Sequence, residues 1–203
     1  MIFLFLFFLI LFGFWIFFLP LQLFLYYISI LFSTPVQLWK IFSSKTLKRN
    51  HALEHATINV LEEKYGIKNL SGLAVEDGFY VSWPYDPMYV LAAVKEGRYL
   101  LSEGHKELAI HKRCGTMVLG TNIVAVIFFI TFLILWGLNL FTLIFPIFLG
   151  ILLGNPIGIL IQRYLTTDAD VGKVDILGIE PRYMPGGGIF KTPGVLVYTK
   201  VYE

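Results

Sequence analysis

Two long stretches without a charged side chain constrain this 203-residue chain more than any other feature. Residues 1–39 contain no Asp, Glu, Lys or Arg, and residues 114–162 contain none either. A helix needs about 20 apolar residues to cross the hydrocarbon core of a bilayer. Each stretch is long enough for at least one such helix, so the pattern excludes an ordinary soluble globular domain and a disordered chain.

The apolar stretches predict three membrane-spanning helices. Residues 1–32 form the first, either as one long tilted helix kinked at Pro20 or as a re-entrant hairpin that turns there. Residues 117–136 and 139–162 form the second and third, joined by a tight turn. We therefore expect a membrane protein with an α-helical transmembrane part.

Small residues and basic residues refine this prediction. Gly150, Gly154 and Gly158 recur every four residues, which favours close approach of another helix and, through that face, a homo-oligomer.

Lysines and arginines cluster at residues 40–49 and 112–113 and follow the third span, whereas the turn between spans two and three has none. The positive-inside rule then predicts a multi-pass protein of the cell membrane with both polar blocks in the cytoplasm.

The polar blocks predict a small α+β domain and a β-rich C-terminal tail. Asn50 is a suitable N-cap for a helix that ends at Gly66. Asp77 and Gly78, between β-branched and aromatic residues, predict a hairpin. The domain assignment is residues 1–32 (first span), 33–49 (interfacial basic connector), 50–116 (cytoplasmic α+β domain), 117–163 (transmembrane hairpin) and 164–203 (cytoplasmic tail).

Shorter elements complete the prediction. Residues 84–87 predict a turn, residues 88–104 a helix, and residues 107–111 a short strand. In the tail, residues 174–179, 186–190 and 194–202 predict strands. The three glycines at 186–188 are interpreted as a turn and not as a phosphate loop, because no Gly-Lys-Ser/Thr and no helix pattern follows them.

His51-Ala52-Leu53-Glu54-His55 carries the clearest chemical signal. On a helix, His51 and His55 are separated by four residues and face the same side, so both imidazoles can bind one metal ion. Glu54 lies at the edge of that face, where its carboxylate can approach a water molecule on the metal. The same pattern also occurs by chance in some helices, where the glutamate would stabilise a protonated histidine at the start of the helix and interact favourably with the helix dipole.

This His-x-x-Glu-His order resembles the inverzincins, zinc metallopeptidases in which the more common His-Glu-x-x-His motif is reversed. The resemblance covers five residues. It implies that His51 and His55 are zinc ligands and that Glu54 is the general base. It also implies a third ligand from later in the chain, which in inverzincins is a glutamate.

Candidates for that third ligand lie between residues 103 and 114. We favour His111, because it lies close to the second span as His51 lies close to the first, and Glu107 is the alternative. Cys114 stands three residues after His111, and the two together could complete a set of four ligands. Three protein ligands indicate a catalytic zinc site, whereas four indicate a closed structural site. The candidates are Glu103, His105, Glu107, His111 and Cys114.

Cys114 has two other interpretations. It could be a nucleophile with His111 as its base, or a small buried residue at the start of the second span. As the chain's single cysteine it excludes an internal disulfide.

Three segments together resemble an uncharacterised family of small prokaryotic membrane proteins. They are NHALEHATINVL, GHKELAIHKRCGT and QRYLTTDADVG, with the apolar hairpin between the last two. The likeness runs from about residue 50 to residue 172. Met117 departs from it, because the family pattern has Asn after Cys-Gly-Thr. The resemblance implies one folding unit and no particular reaction.

We therefore expect a membrane-embedded zinc hydrolase, a metallopeptidase acting on peptides near the membrane, with membrane lipids around it. The alternative is a membrane scaffold whose cytoplasmic domain is stabilised by a structural metal or a polar cluster. A transporter is disfavoured because the spans hold no ionisable residue. A net charge of +2 without a basic run argues against nucleic-acid binding.

Overall fold

The computed structural model describes residues 2–82, 86–185 and 192–202. The predicted turn at 84–87 lies partly outside these residues, and the predicted turn and strand at 186–190 lie wholly outside them. Within the described part, the chain is mostly helical with one small sheet. In chain order its helices and strands are α1 (Ile2–Phe42), α2 (Lys45–Lys64), β1 (Gly72–Val75), β2 (Gly78–Ser82), α3 (Pro87–Ser102), α4 (Gly115–Trp136), α5 (Leu140–Ile161), β3 (Val174–Pro181) and β4 (Gly194–Val201).

The chain divides into two compact units. The first, which we call the apolar unit, contains residues 1–37 and 119–157. The second, the polar unit, contains residues 38–118 and 158–203.

Three helices are long and apolar enough to span a membrane, namely α1, α4 and α5. The first is continuous across Pro20, so the backbone there forms one helix and not a hairpin. Tyr27 of α1 connects all three helices within the apolar unit. Its ring stacks on Phe129 of α4 at 4.0 Å between centroids, and its hydroxyl donates to the carbonyl of Leu143 in α5 at 2.9 Å.

The glycines of α5 allow α4 to approach closely. A Cβ added at Gly154 would lie 2.5 Å from Thr121 Cα, and one at Gly150 would lie 2.7 Å from the Thr121 carbonyl oxygen. The close approach predicted for this face therefore occurs inside the chain. A homo-oligomer through the same glycines stays a prediction.

The sheet of the polar unit combines both polar blocks of the sequence. Its order is β1-β2-β4-β3, and every neighbouring pair is antiparallel. The Asp77-Gly78 hairpin is confirmed, because β1 and β2 pair directly across it. The strand from the tail, β4, pairs with β2, so residues 164–203 complete the central domain instead of forming a separate one.

Helices α2 and α3 pack together against this sheet. Leu53 of α2, Val94 of α3 and Phe79 of β2 are fully buried in the shared core. Gly97, which the sequence marks as a weak point of α3, lies where the helices touch. A Cβ there would lie 3.1 Å from the Ala56 backbone. This contact explains why glycine is accommodated in the middle of α3.

Two local predictions are wrong. The N-cap of α2 is Ser44, whose hydroxyl accepts from the Leu47 N–H at 3.0 Å, and not Asn50. Asn50 lies buried inside α2 and donates to the Val75 carbonyl at 2.8 Å, which fixes the hairpin to the helix. Residues 107–111 do not form a strand, because Lys106–Ala109 is a 3-10 turn.

Candidate metal centre

The His-x-x-Glu-His motif lies on the buried middle of α2. His51 is 7% exposed, Glu54 is 4% exposed and His55 is fully buried. The two imidazole centroids are 4.3 Å apart, as expected for side chains four residues apart on a helix. The motif therefore faces the interior of the polar unit and not open solvent.

Each of these imidazoles is held from behind by a backbone carbonyl. His51 Nδ1 lies 2.9 Å from the Thr166 carbonyl oxygen, and His55 Nδ1 lies 2.7 Å from that of Ala109. A carbonyl oxygen only accepts hydrogen bonds, so each Nδ1 carries the proton and donates. Each Nε2 is then left with a lone pair, which is the state of a histidine that binds a metal.

Cys114 completes a group of three ligand atoms. Its Sγ lies 3.2 Å from His51 Nε2, and one nitrogen of each histidine and the sulfur lie within 4.8 Å of one another. Tetrahedral zinc, with bonds of about 2.0–2.3 Å, separates its ligand atoms by about 3.3–3.6 Å. Among the described residues, the buried Nε2 of His55 has no hydrogen-bond partner. Two imidazoles and a thiol are ligand types that zinc takes, and a cation drawn between them would satisfy that nitrogen.

Glu54 lies beside this group in an unusual state. Burial raises the pKa of Glu54 to about 8, against the lowering effect of His51, and Cys114 raises it further. Its Oε2 is buried and has no hydrogen-bond partner in the part of the chain that the structure describes. In the absence of a cation the carboxyl group is therefore protonated at neutral pH, and it is available to interact with whatever occupies the centre.

Gly72 of β1 makes room for this carboxyl group. A Cβ added at Gly72 would lie 2.6 Å from Glu54 Cγ and closer still to the carboxylate atoms. The glycine thus lies directly against the Glu54 side chain. No sequence pattern marks Gly72, because its contact with Glu54 depends on the packing of β1 on α2.

Burial of the site keeps the imidazole of His55 neutral. Burial lowers the pKa of His55 well below its usual range, and the neighbouring His51 lowers it further. Burial raises the pKa of the Cys114 thiol, while hydrogen bonds from Thr116 lower it. The Thr116 hydroxyl donates to Cys114 Sγ at 3.0 Å. Neutral imidazoles are the form that binds metal, and a cation would promote ionisation of the thiol.

His111 is a neighbour of the group and not one of the three. Its ring centroid lies 5.9 Å from that of His55, and its Nε2 is 3.5 Å from a Glu62 carboxylate oxygen. Burial lowers the pKa of His111, and Glu62 opposes this effect. The backbone N–H of His111 donates to Gln162 Oε1 at 2.9 Å, which fixes the loop next to the site.

The other candidates lie away from the centre. Glu107 is exposed and pairs with His105 at 3.0 Å, also at the surface. Glu103 is exposed at the end of α3. The structure thus brings together His51, His55 and Cys114, with Glu54 beside them and His111 nearby.

Several supporting groups could not be identified from sequence. The carbonyl behind His51 belongs to a π-helical turn, Gln162–Thr166, and the one behind His55 belongs to the 3-10 turn Lys106–Ala109. Both turns are short irregular segments without a distinctive sequence pattern. π-Helical turns occur often at functional sites. Thr116 differs from these groups, because it stands two residues after Cys114, which the sequence already marks as a candidate ligand.

Comparison with known proteins places the chain within a family. A family model described as a domain of unknown function, DUF6391, matches residues 46–179. The chain belongs to this family. The matched residues include His51, Glu54, His55 and Cys114. Membership of a family of unknown function, predicted from the sequence blocks, is thereby confirmed, whereas the metallopeptidase resemblance stays a prediction.

One relative shows how far the similarity extends. An uncharacterised protein of Picosynechococcus sp. is 35% identical over 81 residues, which cover 36% of this chain and 40% of the relative. The chain thus spans less than half the length of this relative. No solved structure matches the chain.

Proposed function

We propose that this DUF6391 protein is a membrane-embedded zinc hydrolase, with peptide segments near the membrane surface as its substrates. The observation that carries the proposal is the group of His51, His55 and Cys114, in which both imidazoles are held by backbone carbonyls and one ligand atom of each residue lies within 4.8 Å of the others. Glu54 lies beside them, with its Oε2 buried and without a hydrogen-bond partner among the described residues.

The number of ligands favours catalysis. A catalytic zinc site has three protein ligands and one open position, whereas a structural site has four. Three groups converge here, and His111, the nearest further histidine, lies close to Glu62 instead. The open position would be available to water and to a substrate carbonyl.

The positive charge of a bound metal would also favour Glu54 as the catalytic base. A divalent cation with one thiolate and two neutral imidazoles has a net charge of +1, which would lower the pKa of Glu54 towards its usual range. The carboxyl group, protonated in the empty site, would then become a carboxylate and a competent base.

Each residue then has a definite role. His51, His55 and Cys114 hold the metal, which when bound supplies Lewis acidity and makes water reactive at neutral pH. Glu54 Oε2 accepts a proton from the attacking water and returns it to the leaving amine. The carbonyls of Thr166 and Ala109 keep both imidazoles in the binding tautomer.

The membrane part of the proposal depends on the three apolar helices. We infer that α1, α4 and α5 cross the bilayer and that the polar unit lies in the cytoplasm, as the distribution of lysine and arginine favours. Helix α1 and the α4–α5 hairpin would hold the polar unit at the membrane surface. Substrates would then be membrane-proximal.

A structural metal is the second candidate. His111 favours it, because its ring lies 5.9 Å from that of His55 and would be the nearest source of a fourth ligand. A closed site of this kind would stabilise a scaffold and would leave no position for water.

Metal analysis distinguishes these functions. The full chain is purified in detergent without a histidine tag, and bound zinc is measured by mass spectrometry. We expect about one zinc per chain in the wild type, in His111→Ala and in His105→Ala, the surface control. Zinc should be lost in His51→Ala and Cys114→Ala. Loss in His111→Ala as well would favour the structural site, and equal zinc in His51→Ala would refute the metal centre.

Activity is tested on the same preparations. Zinc-loaded protein is incubated with a peptide library in detergent, and cleavage is followed by mass spectrometry. Glu54→Gln should retain zinc and lose cleavage. Cleavage by Glu54→Gln at the wild-type rate would contradict its role as base.

A further inference from the structure

A cleft of about 660 Å³ lies on the far side of the segments that support the metal centre. One wall is formed by residues between 101 and 110, and the other by residues between 163 and 172. All of these belong to the polar unit. We call this the rear cleft, because its walls include Ala109, which holds His55 from behind, and Thr167, which follows the residue that holds His51.

The rear cleft contains two cations without a counter-ion. Lys106 and Arg163 both line it, and both are exposed. Within the described part of the chain, neither side chain makes an ion pair or a hydrogen bond. Exposed cations that converge on a concave surface attract anions.

The carboxylates of the rear cleft are already engaged. Asp168 and Asp170 each lie 3.2 Å from a guanidinium nitrogen of Arg49, whose side chain is only 10% exposed. Their charge is therefore directed towards Arg49. Asp168 and Asp170 share this one guanidinium group, so together with Lys106 and Arg163 these side chains carry a net charge of +1.

The position of Arg163 favours a membrane lipid as the source of the anion. It is the second residue after α5, one of the three helices long enough to span a membrane. Tyr164, next to it, is 69% exposed. Tyrosine and arginine at the end of a spanning helix lie at the depth of the lipid headgroups. Arginine also binds phosphate oxygens in a bidentate geometry.

We propose that the rear cleft binds the phosphate group of an anionic membrane lipid through Lys106 and Arg163. The proposal rests on the membrane part of the proposed function and not on zinc or on hydrolysis. A lipid held there would contact the two segments whose carbonyls orient His51 and His55. The headgroup would thus dock the supports of the metal centre against the membrane surface.

The test uses the full chain in detergent after removal of co-purified lipid. Binding of dioctanoyl phosphatidylglycerol is measured by native mass spectrometry and isothermal titration calorimetry. Dioctanoylglycerol, which lacks the phosphate, and inorganic phosphate are the comparison probes. We expect the phospholipid to bind and dioctanoylglycerol not to bind.

Charge-neutral variants locate the site. The double variant Lys106→Gln with Arg163→Gln should bind the phospholipid about tenfold more weakly. The control, Lys95→Gln on α3, removes an exposed cation outside the rear cleft and should bind as the wild type does. Arg163→Lys keeps the charge but not the bidentate geometry, so it should fall between the two.

Each outcome decides the proposal. Unchanged phospholipid affinity in the double variant would overturn it, and so would an equal loss in Lys95→Gln. Binding of inorganic phosphate without binding of the phospholipid would show a phosphate site and refute the lipid as its source. Zinc content, measured on every variant, should stay at the wild-type value, so failure of the metal centre and failure of the rear cleft are distinguishable.

Discussion

Replacing Gly72 by alanine tests the position of Glu54 without changing a ligand or the base. The added Cβ would lie 2.6 Å from Glu54 Cγ. Ordinary contacts between carbon atoms are about 3.5–4.0 Å, so one of the two groups must move by about 1 Å. Because Glu54 is 4% exposed, its carboxyl group has no route to solvent.

The size of the effect follows from two contributions. Overpacking of a buried site costs about 1–3 kcal/mol. Moving the carboxyl group also disturbs the hydrogen bond that it accepts from the Ala74 backbone, which is worth about 1 kcal/mol. Strand β1 is at the edge of the sheet and can yield outwards, so we expect a loss of about 2 kcal/mol, towards the lower end of this range.

Thermal unfolding in detergent, zinc content and peptide cleavage are measured on Gly72→Ala. The matched control is Gly178→Ala in β3, where an added Cβ would meet nothing within 4 Å. Gly72→Ala should unfold at a lower temperature, keep its zinc and lose most of its cleavage activity. Wild-type cleavage in Gly72→Ala, with zinc bound, would refute the role assigned to Glu54.

Three further predictions address other parts of the molecule. In zinc-free protein, the raised pKa of Glu54 contributes stability that is full below pH 4.5 and is lost by about 1.4 kcal/mol per pH unit up to about pH 8; denaturant titrations should show this slope in the difference in stability between the wild type and Glu54→Gln, which cancels the opposite contributions of His55 and His111. Arg49→Met should cost about 1–2 kcal/mol, discounted for the partial exposure of its carboxylate partners, and a change in unfolding temperature no larger than experimental error would contradict the pairing. Gly154→Ala should destabilise the apolar unit by about 1–3 kcal/mol, since the clash is with backbone atoms of α4; the control Gly13→Ala, with open space around it, should melt as the wild type does.

The features that follow from local spacing were predictable from sequence. The four-residue interval places His51 and His55 on one face of α2, and Asp77-Gly78 specifies the hairpin. The third ligand, in contrast, depends on contacts between distant residues and not on local spacing. The sequence favours His111 as the third ligand. In the structure its backbone is fixed by Gln162 and its ring lies near Glu62, so Cys114 is the group that lies with His51 and His55.

The start of α2 shows a similar limit. Ser44 and Asn50 are both good capping residues, and local sequence alone does not choose between them. The side chain of Asn50 is used instead to bind the carbonyls of the β1–β2 turn and the hydroxyl of Thr199 in β4. Such contacts join residues up to 149 positions apart, so no short window of sequence reveals them.

The pairing of β2 with β4 also determines when the candidate metal centre can acquire its supporting contacts during synthesis. The ribosome makes α2, β1 and β2 first, then the α4–α5 hairpin, and only then Thr166 and β4. Until those residues emerge, His51 lacks its supporting carbonyl and β2 lacks one of its two neighbouring strands. The contacts that position His51 are therefore complete only in chains whose apolar helices have already been made.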